Sequence, residues 1–195
     1  MYISLAYGNN LINKVNGGTM DSFGIVRRID NLGRIVIPME IRRNLKLKEG
    51  DPLELNVLDA NIIVKKFSAV NNIGDDLVCL CDEISSVLKI SVLITDLDKI
   101  LTCSGENFDL YLSKNIEKDL KKIISKRKIV HSSSKDSHIP IFLQDNFHYK
   151  EQIIIPIVSN GEAQGSLIGI SDKNIDKLKE EVLEIFSKIL SKKIE

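Results

Sequence analysis

The guanidinium groups of this chain are gathered in one place. Its six arginines are Arg27, Arg28, Arg34, Arg42, Arg43 and Arg127, and the first five fall within GIVRRIDNLGRIVIPMEIRRNL, residues 24–45. Elsewhere the cations are almost all lysine, in a formally neutral chain of 27 Lys+Arg and 27 Asp+Glu. Arginine presents a planar fork of N–H donors that grips a phosphate or a guanine edge through two bonds at once, whereas lysine is a mobile point charge. Five such forks on one short segment point to phosphate and base edges as the partner. The competing reading is a solvated face whose arginines pair with Asp30, Glu40 or Asp51.

Other chemistry is sparse. Cys79, Cys81 and Cys103 are odd in number and show no C-x-x-C spacing, so neither a disulfide frame nor a zinc knuckle is suggested. They are expected to be buried structural thiols, with Cys79 and Cys81 on different faces of one helix. His131, His138 and His148 lie far apart in polar loops and read as incidental surface residues. The polar segment Ser132–Ile139 reads as a mobile loop rather than a pocket lid. No nucleophile–base pair, phosphate loop or metal-ligand triad stands out. The expectation is therefore a protein that binds rather than catalyses, with no metal and no cofactor.

The elements that must position the arginines are short. GIVRRI alternates as a strand, DNLG is turn chemistry, and RIVI resumes the strand until Pro38 stops it. Pro38 and Glu40 suit the first turn of a short helix reaching Leu45, with Arg42 and Arg43 beside Ile41. PLELNVLDANIIVKKF then reads as a hairpin. Four short strands and one short helix in about fifty residues bury little apolar surface alone. A second copy of the chain is expected to complete that core, which also doubles every arginine.

From Asn71 the pattern becomes helix, strands, helix, strands, helix, an α+β arrangement over residues 71–195. NNIGDDLVCLCDEISSVLKI is predicted helical, SVLITD and ILTCSG are strands, and FDLYLSKNIEKDLKKIISKRK is mostly helical. IIIPIVSNGEAQGSLIGISD reads as a hairpin about Asn160-Gly161, and an amphipathic helix from Ile175 closes the chain. Charge divides along the same line. Residues 20–70 hold nine Lys+Arg against seven Asp+Glu, a net of +2, and residues 71–195 hold 17 against 20, a net of −3, with Lys14 supplying the remaining +1. No stretch approaches the roughly 18 apolar residues of a membrane helix, and the first residues lack a secretory leader. A cytoplasmic protein is expected. Residues 1–19 form a polar lead, and Gly17-Gly18-Thr19-Met20 can be encoded by a ribosome-binding sequence followed by a start codon. The lead is accordingly expected to be a disordered tail or a start-site artefact.

The stretch TMDSFGIVRRIDNLGRIVIPMEIRRNLKLKEGDPLEL resembles the DNA-binding head of the AbrB-type, swapped-hairpin transcription regulators. The likeness covers nearly all of Phe23–Phe67, and its motifs GIVR, the arginine after LG and the paired RR are specific. The body resembles the GAF-like domain that sporulation regulators of this family carry after the head, chiefly through PIVSNGEAQGSLIGIS. The resemblance implies a dimeric β-barrel head over residues 20–70 and a GAF-like sensor or oligomerisation domain over 71–195. It implies contact with double-stranded DNA through Arg27, Arg34, Arg42 and Arg43, with Arg28 as a further candidate; Lys46 reads as a solvated lysine, with a phosphate contact as the alternative. It also implies a homodimer through the head, with the body either modulating that head or building a tetramer. The function implied is activation and repression of sporulation genes at the nucleoid, with a small-molecule ligand of unknown identity at the GAF-like domain. The alternative is an antitoxin, since toxin-binding antitoxins share such a head, although a folded body of this length is unlike their short acidic tails.

Overall fold

The computed structural model describes residues 2–4, 25–59, 61–106, 108–133, 137–143, 145 and 149–194. The chain divides into two compact units, Met1–Phe67 and Ser68–Glu195, three residues before the expected boundary.

In the first unit the hairpin forms as the alternation requires. Strands β2 (Leu53–Leu58) and β3 (Asn61–Lys66) pair antiparallel from Leu53↔Lys66 to Leu58↔Asn61. Asp59 accepts the left-handed backbone of the tight turn at φ +52°, which short polar side chains tolerate. Strand β1 (Tyr2–Ser4) adds to β3 in parallel, so three residues of the lead read as disordered lie in a sheet. Residues 5–24, including Met20 and the proposed start site, are outside the described residues. Helix α1 (Met39–Asn44) begins after Pro38, with Glu40 in its first turn and Arg42 and Arg43 in its last, a distribution that complements the helix dipole.

The two strands expected at residues 25–29 and 34–37 are not formed in the single chain. The turn between them is present, closed by Gly33 N–H to Asp30 O at 3.1 Å and Asp30 N–H to Arg34 O at 3.1 Å. Among the described residues the flanking segments join no sheet, and most of their apolar side chains stay in solvent, Ile35 and Ile37 being half-buried. Val26, Leu32 and Val36 are 86%, 69% and 73% exposed, and Leu55 and Val57 of β2 are 68% and 77% exposed. Among the described residues of this unit only Val64 is a buried hydrophobic.

The second unit is a five-stranded antiparallel sheet in the order β5-β4-β8-β7-β6. Its strands are β4 (Ser91–Thr95), β5 (Ile100–Ser104), β6 (Val130–Ser132), β7 (Glu151–Ser159) and β8 (Glu162–Ser171). Side chains alternate across it. Val92, Ile94, Ile153, Ile155 and Ile157 meet helices α2 (Asp75–Leu88) and α5 (Lys177–Lys193) through Leu77, Cys81, Ile84, Leu183 and Leu190. Leu93, Ile154 and Ile168 face the other layer, α3 (Phe108–Tyr111) and α4 (Lys118–Lys126), with Tyr111, Leu120, Ile124 and Phe142. The period of two along each strand thus builds two cores on opposite faces.

Two local features shape this sheet. Asn160 and Gly161 take the left-handed region at φ +50° and +78°, the conformation a two-residue hairpin turn needs. A Cβ on Gly165 would come within 2.0 Å of the Thr95 carbonyl oxygen, so β4 and β8 approach where only glycine fits. The segment from Phe108 expected to be mostly helical forms two helices, α3 and α4. Between them the backbone turns to β5 instead, Ile100 N–H donating to Lys114 O at 2.9 Å and Ser113 N–H to Ile100 O at 3.2 Å. Burial of Ile116 accompanies that exchange. Strand β6, whose three residues carry no detectable periodicity, was not foreseen.

Candidate nucleic-acid interface

Arg27, Arg28, Arg34, Arg42 and Arg43 are all exposed and all belong to the first unit. The segment flanking the DNLG turn supplies the first three, and the last turn of α1 supplies the pair. Ile41 turns partly inward, while Arg42 and Arg43, which follow it, are exposed to solvent. Arg27 Nη1 donates to the Val26 carbonyl at 3.3 Å. Arg28, Arg42 and Arg43 make no side-chain hydrogen bond or ion pair among the described residues. Lys46, exposed at φ +53°, follows the helix, its backbone N–H donating to Arg43 O at 3.2 Å and its side chain making no bond among the described residues.

Arg34 is different. Its Nε donates to Asp30 Oδ2 at 2.7 Å, and its backbone N–H donates to Asp30 Oδ1 at 2.8 Å. Leu32 N–H donates to the same Oδ1 at 3.0 Å. The Arg34 backbone N–H, then its guanidinium, hold the Asp30 carboxyl below its ordinary value of 3.8. The pairing of arginines with local carboxylates, weighed as the competing reading, therefore holds for one arginine of the five. Asp51 is paired with Lys66, at 3.3 Å, and not with an arginine. Asp30, which sequence reasoning weighed only as a possible salt-bridge partner, is the residue that engages Arg34. Its signal was the D-x-x-G turn, in which an aspartate oxygen accepts from the N–H two residues on.

Arg127, the one arginine outside the cluster, does structural work in the second unit. It ends α4 in the left-handed region at φ +56°, and its Nη1 donates to the carbonyl of Gly161 in the β7–β8 turn.

Among the described residues no cluster of three or more His, Cys, Asp or Glu could hold a metal ion. His131 lies in β6 rather than a loop, its Nε2 2.8 Å from Glu151 Oε2 and its Nδ1 3.6 Å from Glu180 Oε2. The two carboxylates are on opposite sides of the ring, so they bracket the imidazole and do not chelate with it. His138 stacks on Tyr149 with centroids 4.7 Å apart, and His148 is outside the described residues. Part of the segment read as a mobile loop is anchored. Gln152, buried in β7, accepts from Ile139 N–H at 2.8 Å and donates to Ile139 O at 2.9 Å and to Tyr149 Oη at 3.0 Å. Cys81 and Cys103 are buried, and burial raises their thiols to about 12 and about 11. Cys79 is exposed, which corrects the expectation that all three are buried: its place two residues from Cys81 turns it to the solvent face of α2.

Comparison with known proteins agrees with this division. Residues 78–195 match the family model of the stage V sporulation protein T C-terminal, transcription factor, and residues 26–68 match that of the MazE bacterial antitoxins. The chain is 35% identical over 179 residues to stage V sporulation protein T of Bacillus subtilis strain 168, spanning 90% of this chain and 99% of the relative. Its head is 56% identical over 48 residues to the transition state regulatory protein AbrB of the same organism, spanning 25% of this chain and 50% of AbrB. In fold, the GAF domain of an Acinetobacter phosphoenolpyruvate-protein phosphotransferase superposes with a TM-score of 0.52 at 16% identity, covering 65% of this chain and 87% of that one. The two units define a transcription regulator with an AbrB-type head and a GAF-like body. The chain belongs to the stage V sporulation protein T family.

Proposed function

We propose that the head binds double-stranded DNA as a dimer through Arg27, Arg28, Arg34, Arg42 and Arg43, and so activates and represses sporulation genes. The observation that carries this reading is the set of five exposed arginines on one small unit, three of them with no partner among the described residues. Unengaged guanidiniums suit phosphate oxygens and guanine edges, and phosphate neutralisation makes the affinity fall with salt. The dimer is supported by the exposed Val26, Val36, Leu55 and Val57, an apolar set that a second copy would cover. The protein acts in the cytoplasm at the nucleoid. The GAF-like fold is the ground for assigning the body a modulating small molecule, and α2 and α5 present Val78, Val87, Ile185 and Ile189 in solvent as a surface for tetramer assembly.

The test is fluorescence-anisotropy titration of a labelled promoter fragment across a salt series, comparing wild type with Arg42→Ala/Arg43→Ala. Tight binding that weakens steeply with salt, and a shallower slope in the variant, is the expected result. A folded, oligomeric protein that binds no duplex at low salt overturns the reading. The antitoxin match to the head supports a second reading, in which the same arginine face takes a toxin protein. Capture of such a partner that competes with DNA would favour it.

A further inference from the structure

Asp30 places an anion on the turn flanked in sequence by the exposed Arg27, Arg28 and Arg34. Next to DNA phosphates a carboxylate opposes binding, and an exposed ion pair adds little to folding stability. Its geometry supplies a different use. Both Asp30 oxygens are committed: Oδ1 accepts from the backbone N–H groups of Leu32 and Arg34, and Oδ2 accepts from Arg34 Nε. The carboxylate is thus fixed to the turn, and the turn is closed by Asp30 and Gly33 main-chain bonds with Gly33 at φ +76°. By contrast Lys122–Asp119 and Lys177–Glu181 join side chains exposed on both members, with no such anchor.

An arginine held by Nε has lost the side-on mode of binding and keeps the end-on pair Nη1 and Nη2. The Arg34 side chain is 70% exposed, and neither Nη atom has a partner among the described residues. Two parallel N–H groups in fixed orientation match the O6 and N7 acceptors of guanine. Arg28, Arg42 and Arg43 have no comparable anchor, so they suit phosphates, whose oxygens accept from many directions.

We propose that Asp30 is a positioning residue for sequence recognition, holding Arg34 by Nε so that its Nη1/Nη2 fork reads a guanine edge. This rests on the DNA-binding reading of the head. The sign of the effect separates it from a plain turn role. Removing a carboxylate from a DNA-facing surface strengthens binding to every duplex alike, whereas releasing the fork lowers the preference for the correct sequence.

The experiment uses the full chain and two labelled duplexes, one selected by the wild-type protein from a random pool and one with the same bases scrambled. Affinities are measured for wild type, Asp30→Asn, Arg34→Ala and the double variant. Asparagine retains an oxygen acceptor for both turn amides, and a thermal melt of each variant checks that the head still folds. Asp30→Asn is expected to lower the selected-to-scrambled affinity ratio about tenfold, within the range one bidentate base contact supplies. In the Arg34→Ala background the same change is expected to leave the ratio unaltered. An unchanged ratio in Asp30→Asn, or an equal loss in both backgrounds, overturns the proposal while the DNA-binding reading stands. Wild type that binds neither duplex overturns both.

Discussion

The Arg127 guanidinium donates through Nη1 to the carbonyl oxygen of Gly161, joining the end of α4 to the turn between β7 and β8. The sixth arginine of the chain is thereby engaged within the body, while Arg28, Arg42 and Arg43 in the head have no described partner. Arg127→Ala is expected to leave DNA affinity and its salt slope unchanged and to cost about 1 kcal/mol of stability, the worth of one hydrogen bond. Anisotropy and urea denaturation on the same preparation check both halves, and a loss of DNA binding by a folded variant would contradict the assignment.

Gln152 ties the segment at Ile139 to the sheet. Its amide makes three hydrogen bonds in a buried position, two to the Ile139 backbone and one to Tyr149 Oη. Replacement by leucine removes both donor and acceptor and leaves the half-buried Ile139 backbone groups without this partner, at a cost of about 1–3 kcal/mol. Chemical denaturation should show the loss, and hydrogen exchange should show faster exchange at Ile139 N–H. A variant as stable as wild type would mean that water replaces the amide.

The three thiols should react at very different rates. Cys79 is exposed, whereas burial raises Cys81 to about 12 and Cys103 to about 11. Thiolate is the reactive form, so at pH 8 maleimide is expected to modify Cys79 alone in the folded protein and all three after denaturation. Peptide mass mapping identifies the sites, and rapid native labelling of Cys81 would show that the α2 core opens.

Acid should affect the Asp30–Arg34 pair only at low pH. The Arg34 backbone N–H and guanidinium lower the Asp30 carboxyl from 3.8. A depressed carboxyl contributes its interaction above the unfolded value, and the contribution is lost as pH falls through the lower folded value. The pair is therefore intact from pH 5 to 8. The selected-to-scrambled affinity ratio of wild type, relative to Asp30→Asn, is expected to stay constant across that range. A ratio that changes between pH 5 and 8 would assign the titration to another group.

Much of this architecture is legible in the residues. The arginine cluster, the alternation Leu53, Leu55, Val57, the Asn160-Gly161 turn and the apolar spacing of α2 and α5 each arise from local chemistry: a donor geometry, a pleat, a left-handed turn, a helical period. Local chemistry also marks the division into a basic head and an acidic body. It does not say which partner meets a given demand. Residues 25–29 and 34–37 alternate as strands should, yet among the described residues they form no strand, because strand hydrogen bonds come from a neighbour that the segment does not contain. The backbone at Lys114 and Asn115 leaves the helix its lysines favour, because β5 offers its groups another set of bonds. Sequence alone determined that five guanidiniums would stand together on one small unit. Only the tertiary structure decided that Asp30 would fix one of them, that Arg127 would be spent on a turn carbonyl, and that His131 would lie between Glu151 and Glu180. Those pairings depend on distances between elements far apart in the chain, or on the exact closure of a turn, and no residue pattern encodes a distance.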